Sequence, residues 1–130
     1  MDIESMYQEN ILDHYKNPRN FGTIKDASVH HHEKNPLCGD ELDFYLIIDE
    51  NNKVADVKIN GHGCAISQAS ASMLSEKVKG MSLKDAERLT KEDILEMLGI
   101  ELSPVRLKCA LLSLDTLKNS ILIYEKYVKK

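Results

Sequence analysis

Between Ile3 and Tyr15 the apolar residues Ile3, Met6, Tyr7, Ile11 and Leu12 fall at helical spacing, and Asn17-Pro18-Arg19-Asn20-Phe21-Gly22 ends the run with turn-forming residues. The pattern predicts a short amphipathic helix and a loop. Leu42, Phe44, Leu46 and Ile48 then alternate with Asp43, Tyr45, Ile47 and Asp49. A polar turn follows over Asp49 to Lys53, and Val54, Val57 and Ile59 resume extended spacing. These two runs read as an antiparallel hairpin. A third strand is expected near Ala27 to Lys34, where the alternation is weak.

Beyond Cys64 the chain turns to small residues, Ala-Ile-Ser-Gln-Ala-Ser-Ala-Ser-Met-Leu, ending at Gly80. Such a stretch suits a helix packed close against a neighbour, with its N-terminus near Cys64. Ser82 and Asp85, and then Thr90 and Asp93, carry the spacing of capping pairs at the starts of two short helices. Ser103-Pro104 breaks the chain again. Leu107, Leu111, Leu114, Leu117 and Ile121 then mark one face of a long final helix, with Cys109 placed in its first turn.

With 130 residues and 42% hydrophobic composition, the chain reads as one domain, 1–130, large enough to enclose a core without disulfides. It has no basic start followed by an apolar stretch, and no apolar run near the roughly 18 residues of a membrane span. The expectation is a soluble, cytosolic (cytoplasmic) protein with no membrane partner. Seventeen Lys and Arg against 21 Asp and Glu leave a net charge of -4. That balance lacks the basic footprint of a nucleic-acid binder.

Candidate chemistry rests on three cysteines: Cys38 in Asn-Pro-Leu-Cys-Gly-Asp, Cys64 in Gly-His-Gly-Cys and Cys109 in Arg-Leu-Lys-Cys. An odd number of separated thiols, one with Asp40 two residues on, suits a metal or sulfur site better than a disulfide framework. Gly39 allows the bend that brings Asp40 toward the Cys38 thiolate. Cys64 stands where a strand passes into a helix, beside Gly61 and Gly63, and the helix start favours a thiolate there. For Cys109 the same reasoning adds the Lys108 ammonium. Three thiolates and a carboxylate can hold zinc tetrahedrally or complete the coordination of a 2Fe-2S cluster. Buried cysteines in a plain interaction domain are the competing reading. His30-His31-His32 is set aside as a ligand group, because neighbours on a strand point to opposite faces. His62 shares extended spacing with Cys64 and is an alternate ligand.

Ile11-Leu12-Asp13-His14-Tyr15 with Asn17-Pro18-Arg19-Asn20, Cys38-Gly39-Asp40, Gly63-Cys64 before a Ser/Ala-rich helix, Val78-Lys79-Gly80 with Ser82-Leu83, and the third cysteine near the head of the last helix recur in order. In these motifs the chain resembles the IscU-type iron-sulfur cluster scaffolds, the family of the NifU N-terminal domain. The resemblance implies an α+β fold: a small three-stranded antiparallel sheet with helices packed on it. It implies a site of Cys38, Asp40, Cys64 and Cys109, a transient 2Fe-2S cluster, and sulfur received from a cysteine desulfurase with Cys109 as acceptor. Apo iron-sulfur proteins would be the recipients of the cluster. Leu102-Ser103-Pro104-Val105-Arg106 is similar to the Leu-Pro-Pro-Val-Lys element held by an Hsp70-type chaperone, departing from it at Ser103 and Arg106. Where IscU-type members carry His before the third cysteine this chain has Lys108, whose ammonium cannot ligate a metal. Lys108 and the Gly61 to Ser70 stretch are similar instead to the SufU branch, zinc-binding sulfur acceptors, although the insertion usual in that branch between the second and third cysteines is missing here. The resemblance therefore implies a non-enzymatic scaffold, with a zinc-dependent sulfurtransferase as the alternative.

Overall fold

Over residues 3–36 and 39–128, which the computed structural model describes, the chain runs α1 (Ile3–Lys16), β1 (Val29–Lys34), β2 (Glu41–Ile48), β3 (Val54–His62), α2 (Ala65–Val78), α3 (Leu83–Glu87), α4 (Lys91–Leu98) and α5 (Pro104–Ile123). A π-helical turn, Tyr124–Val128, extends α5. The strands form one antiparallel sheet in the order β1-β2-β3. Helix α5 lies against β1 and β2 and α2 lies against β3, so the fold is α+β with one sheet face covered. None of the described helices is long and apolar enough to cross a membrane.

Alternation in β2 places Leu42, Phe44 and Leu46 inside at 1% exposure or less. In β3 the inward residues Val54 and Val57 are three apart, which a regular strand would put on opposite faces. A bulge resolves this: Ile47 pairs with Asp56 and Ile48 with Val54, leaving Ala55 as the extra residue. β1 alternates weakly because its inner face carries polar groups. Behind Val29 come His31 and Glu33, and Glu33 accepts a hydrogen bond from the Asn119 side chain of α5.

Helix α5 buries a broad face, with Cys109, Leu112, Leu114, Thr116, Leu117, Ser120 and Ile121 inside, while Lys108, Asp115 and Leu122 face water. Its Leu stripe is one of two. The other, Ala110, Ser113, Thr116 and Ser120, is small and polar, and its hydroxyls are satisfied locally: Thr116 Oγ1 donates to Leu112 O and Ser120 Oγ to Thr116 O, both at 2.7 Å. Ser70 Oγ of α2 donates to Ala110 O at 2.8 Å and lies 2.8 Å from Ser113 Oγ, so the two helices approach closely.

At the first helix the structure corrects the expected face. Met6 and Leu12 are 58% and 49% exposed, and the inward stripe is the half-buried Tyr7 with the buried Ile11 and His14. The helix packs along α2, and the Tyr7 ring fills the space that a side chain on Gly99 would need. His14 Nδ1 lies 2.7 Å from Ser72 Oγ, which also accepts the Arg19 N–H at 2.8 Å. The loop after α1 then joins the edge of β3, with Ile59 N–H donating to Asn20 O and Gly22 N–H to Ile59 O, each at 2.8 Å. The capping pairs form as well. Ser82 accepts the Asp85 N–H, and Thr90 and Asp93 close a reciprocal capping box.

Burial holds the pKa of His14 below its ordinary value, helped by the Arg19 charge and opposed by Glu76 and Asp13. The folded state keeps the ring neutral, whereas the unfolded chain takes up a proton near pH ~6.5. Stability present above that pH is therefore lost as pH falls toward the folded-state value. Denaturation midpoints should drop between about pH 7.5 and 5.5, and His14→Gln should flatten that slope. Histidine NMR titration checks the sign, since a His14 pKa above the free-imidazole range would contradict it.

Candidate functional site

Where β3 ends and α2 begins, Cys64 is the N-cap residue of the helix. Its extended backbone (φ -71°, ψ 167°) turns the chain, and its Sγ accepts the Ser67 N–H at 3.5 Å. Thus the sulfur stands at the end of α2 where free amides and the helix dipole favour negative charge. Ser67 Oγ donates to Cys64 O at 3.1 Å and lies 3.8 Å from the sulfur.

Asp40 comes from the start of β2 and is 2% exposed. Its Oδ1 accepts the Cys64 N–H at 3.1 Å and its Oδ2 lies 3.6 Å from Cys64 Sγ. Gly39 precedes it with φ 72°, a left-handed turn that favours glycine. The Asn35 N–H donates to Asp40 O and the Gly39 N–H to Asn35 O, each at 2.8 Å, so the ends of β1 and β2 are tied together at the carboxylate. Gly63 leaves the remaining room. A Cβ there would fall 2.5 Å from Asp40 Oδ1 and 2.7 Å from Ser67 Oγ.

Cys109 completes the group from α5. One ligand atom each from Asp40, Cys64 and Cys109 lies within 4.8 Å of the others. Cys109 is 1% exposed. The expectation that it sits in the first turn is corrected: α5 begins at Pro104 under the Ser103 cap, which makes Cys109 its sixth residue. The unpaired amides of the helix start lie before it. It is the packing of α5 on α2 that aims this sulfur. Cys38 lies outside the described residues.

Lys108 is exposed and borders a groove of about 260 Å³ shared with Glu33, Asn35, Leu111 and Asp115. Burial, and next the Glu33 charge, push the Asp115 carboxyl up from its ordinary value. His62 is not brought to the thiols. It is an exposed residue at the end of β3, and its Nε2 lies 2.6 Å from Glu41 Oε2. Leu102 is half-buried, while Pro104 and Val105 are exposed at the start of α5. Sequence reasoning missed Asn35 and Ser67 as positioning residues. Ser67 had a signal, a hydroxyl three residues after the cap, but Asn35 acts through its backbone and had none.

Two soft sulfurs and a harder carboxylate oxygen in a recessed corner make a donor set for a borderline transition ion such as zinc or iron. A carboxylate at 2% exposure is costly unless paired, and the Cys64 N–H offsets part of that cost. The chemistry of the donors fits a bound cation.

A family model for the NifU-like N terminal domain matches residues 6–130. The chain is 38% identical over 124 residues to the iron-sulfur cluster assembly enzyme IscU of Drosophila melanogaster, covering 93% of this chain and 79% of that protein. It is 34% identical over 137 residues to the zinc-dependent sulfurtransferase SufU of Bacillus subtilis, covering 92% of each. Among solved structures, a candidate SUF-system iron-sulfur cluster assembly scaffold from Fervidobacterium islandicum superposes with a TM-score of 0.74 at 32% identity, covering 92% of this chain and 99% of that one. The N-terminal part of a NifU-like protein from Brucella abortus, at 23% identity, shares the fold with a TM-score of 0.74, covering 96% of this chain and 98% of that one.

Gly63→Ala should leave the sheet intact and displace the Asp40 carboxylate from Cys64. Zinc affinity, measured by competition with a chromophoric chelator, should fall by about 10- to 100-fold, the range seen when the groups that orient metal ligands are disturbed. An unchanged affinity would show that Asp40 does not depend on the gap left by Gly63.

Proposed function

The chain belongs to the NifU-like N-terminal domain family, and on that premise we propose that it is a scaffold on which a 2Fe-2S cluster is assembled from sulfur supplied by a cysteine desulfurase and then passed to apo acceptor proteins. The observation that carries this reading is the convergence of Asp40, Cys64 and Cys109 at the junction of sheet and helices. Cys38 is the fourth ligand in this proposal. It stands two residues before Asp40 in the sequence.

Sulfur transfer is a thiol exchange. The Cys109 thiolate attacks the outer sulfur of the desulfurase persulfide, the S–S bond of that persulfide breaks, the desulfurase thiolate leaves, and Cys109 carries the persulfide. Because Cys109 is 1% exposed, this step requires the pocket to open, and the exposed first turn of α5 is the adjoining surface. Lys108, exposed just after that turn and next to Cys109, places a positive charge beside the incoming anionic sulfur. Carboxylate oxygen is a harder donor to cluster iron than thiolate, so Asp40 provides the corner that an acceptor thiol displaces. The segment Leu102 to Arg106, with Pro104 and Val105 exposed, is the proposed contact for an Hsp70-type chaperone. The setting is cytosolic, where thiols stay reduced.

Lys108 and the 34% identity to a zinc-dependent sulfurtransferase support a second reading. In it Cys38, Asp40, Cys64 and Cys109 hold zinc, which would keep its coordinating thiols deprotonated. The protein would then accept sulfur without building a cluster.

Anaerobic reconstitution with a desulfurase, cysteine, ferrous iron and a thiol reductant that takes the persulfide sulfur to sulfide, followed by iron, zinc and sulfide analysis, separates the two. The scaffold reading expects iron with acid-labile sulfide and visible charge-transfer absorption, lost in Cys109→Ser. A colourless zinc protein that still accepts sulfur would favour the second reading. Asp40→Ala should give a longer-lived cluster, and an unaltered rate of transfer to an apo-ferredoxin would remove the displaceable corner from the mechanism.

A further inference from the structure

The three adjacent histidines are divided by the pleat of β1, and the division leaves two of them together. His31 turns inward, with Nε2 3.1 Å from Glu33 Oε1, while His30 and His32 share the solvent-facing side. Residues two apart on a strand stand about 7 Å apart, a span that two imidazoles can close over one ion. Across the sheet Asp43 lies opposite His32 in register. Its Oδ1 is 2.7 Å from His30 Nε2 and 3.2 Å from His32 Nδ1. In a tetrahedral zinc site with bonds of about 2.0 Å, neighbouring ligand atoms stand about 3.3 Å apart. Both nitrogens are thus already near ligand spacing from the shared oxygen.

We propose that His30, His32 and Asp43 form a second metal site, on the open face of the sheet, for a divalent transition ion of the zinc class. Two imidazoles and a carboxylate are the donor set of open three-ligand zinc and non-haem iron sites, with water at the remaining positions. The side chains are 46%, 45% and 21% exposed, so an ion and its water have access. Surrounding contacts orient the ligands. The His30 ring stacks on Tyr45 with centroids 4.1 Å apart and planes 7° from parallel. His32 Nε2, the nitrogen turned from Asp43, lies 3.4 Å from Glu41 Oε1, as a carboxylate behind a ligating imidazole does. Among the described residues, the pocket group Asp40, Cys64 and Cys109 is the one with three ligand atoms mutually within 4.8 Å. Capture at the sheet site therefore turns the two imidazoles toward each other, a movement that their exposure permits. Asp43 is three residues along β2 from Asp40, which puts this site roughly 10 Å from the thiol pocket.

The test uses the full chain at neutral pH with zinc and cobalt as probes. In equilibrium dialysis the wild type should hold one more equivalent of zinc than His30→Gln/His32→Gln, with Asp43→Asn weakening the same equivalent. Cobalt in the sheet site should give weak ligand-field bands without thiolate charge transfer. The His30 and His32 ring resonances of the wild-type protein should move as this equivalent is added. Equal zinc content in wild type and double variant, or ring resonances that stay in place, would overturn the proposal and leave a hydrogen-bonded surface ladder. The thiol pocket is read separately through thiolate charge transfer. A failure there would leave a single ion, still lost in the double variant.

Discussion

The close approach of α2 and α5 is the constraint on which the rest of the structure depends. Alanine and serine on α2 meet alanine and serine on α5, and the Ser70 hydroxyl donates to the backbone carbonyl of Ala110. Larger side chains at these positions would part the helices. Because Cys109 is the residue before Ala110 and Cys64 caps α2, the spacing of the helices is also the spacing of two sulfurs. The pocket is in this sense a by-product of close helix packing, with the carboxylate of Asp40 added from the sheet.

Polar groups inside this small protein are paired in short circuits rather than excluded. Ser72 Oγ pairs with His14 Nδ1 and accepts the Arg19 N–H, and Asn20 Nδ2 donates to Ser75 Oγ at 3.0 Å. These bonds fasten α1 and its following loop to α2. An unmade bond at such a site costs about 1–3 kcal/mol, comparable to a large apolar side chain. The serines of α2 therefore divide their work, one set joining the first helix and another the last.

The two faces of the sheet carry different chemistry. The inner face is apolar on β2 and β3 and turns polar on β1, where Glu33 meets Asn119. The outer face is a row of imidazoles and carboxylates running from His30 through Asp43, His32 and Glu41 to His62, the last two residues before the turn into the pocket. Acidic side chains outnumber basic ones in the whole chain, and this row faces water, so it is open to cations in a way the recessed pocket is not.

Much of the fold was legible in the amino-acid order, because periodicity and caps are local. The hairpin of β2 and β3, the helix after Cys64, the Ser82 and Thr90 starts and the long last helix all follow from side-chain alternation and short-range hydrogen bonds, whereas the start of that last helix at Pro104 lies earlier than the Leu stripe suggests. What failed depended on partners distant in sequence. Met6 and Leu12 fit a helical stripe yet face water, because the face of α1 turned to the rest of the fold carries Tyr7, Ile11 and His14 instead. Val54 and Val57 needed a bulge to face inward together. By itself, the sequence determined which residues carry thiol and carboxylate chemistry, since that is a property of side-chain type. Only tertiary packing decided which of them meet: Asp40, Cys64 and Cys109 converge because a strand start, a helix cap and the second turn of another helix are pressed to one corner, while His62 ends β3 beside Glu41 and the chain leaves the strand before Cys64, so extended spacing no longer relates the two.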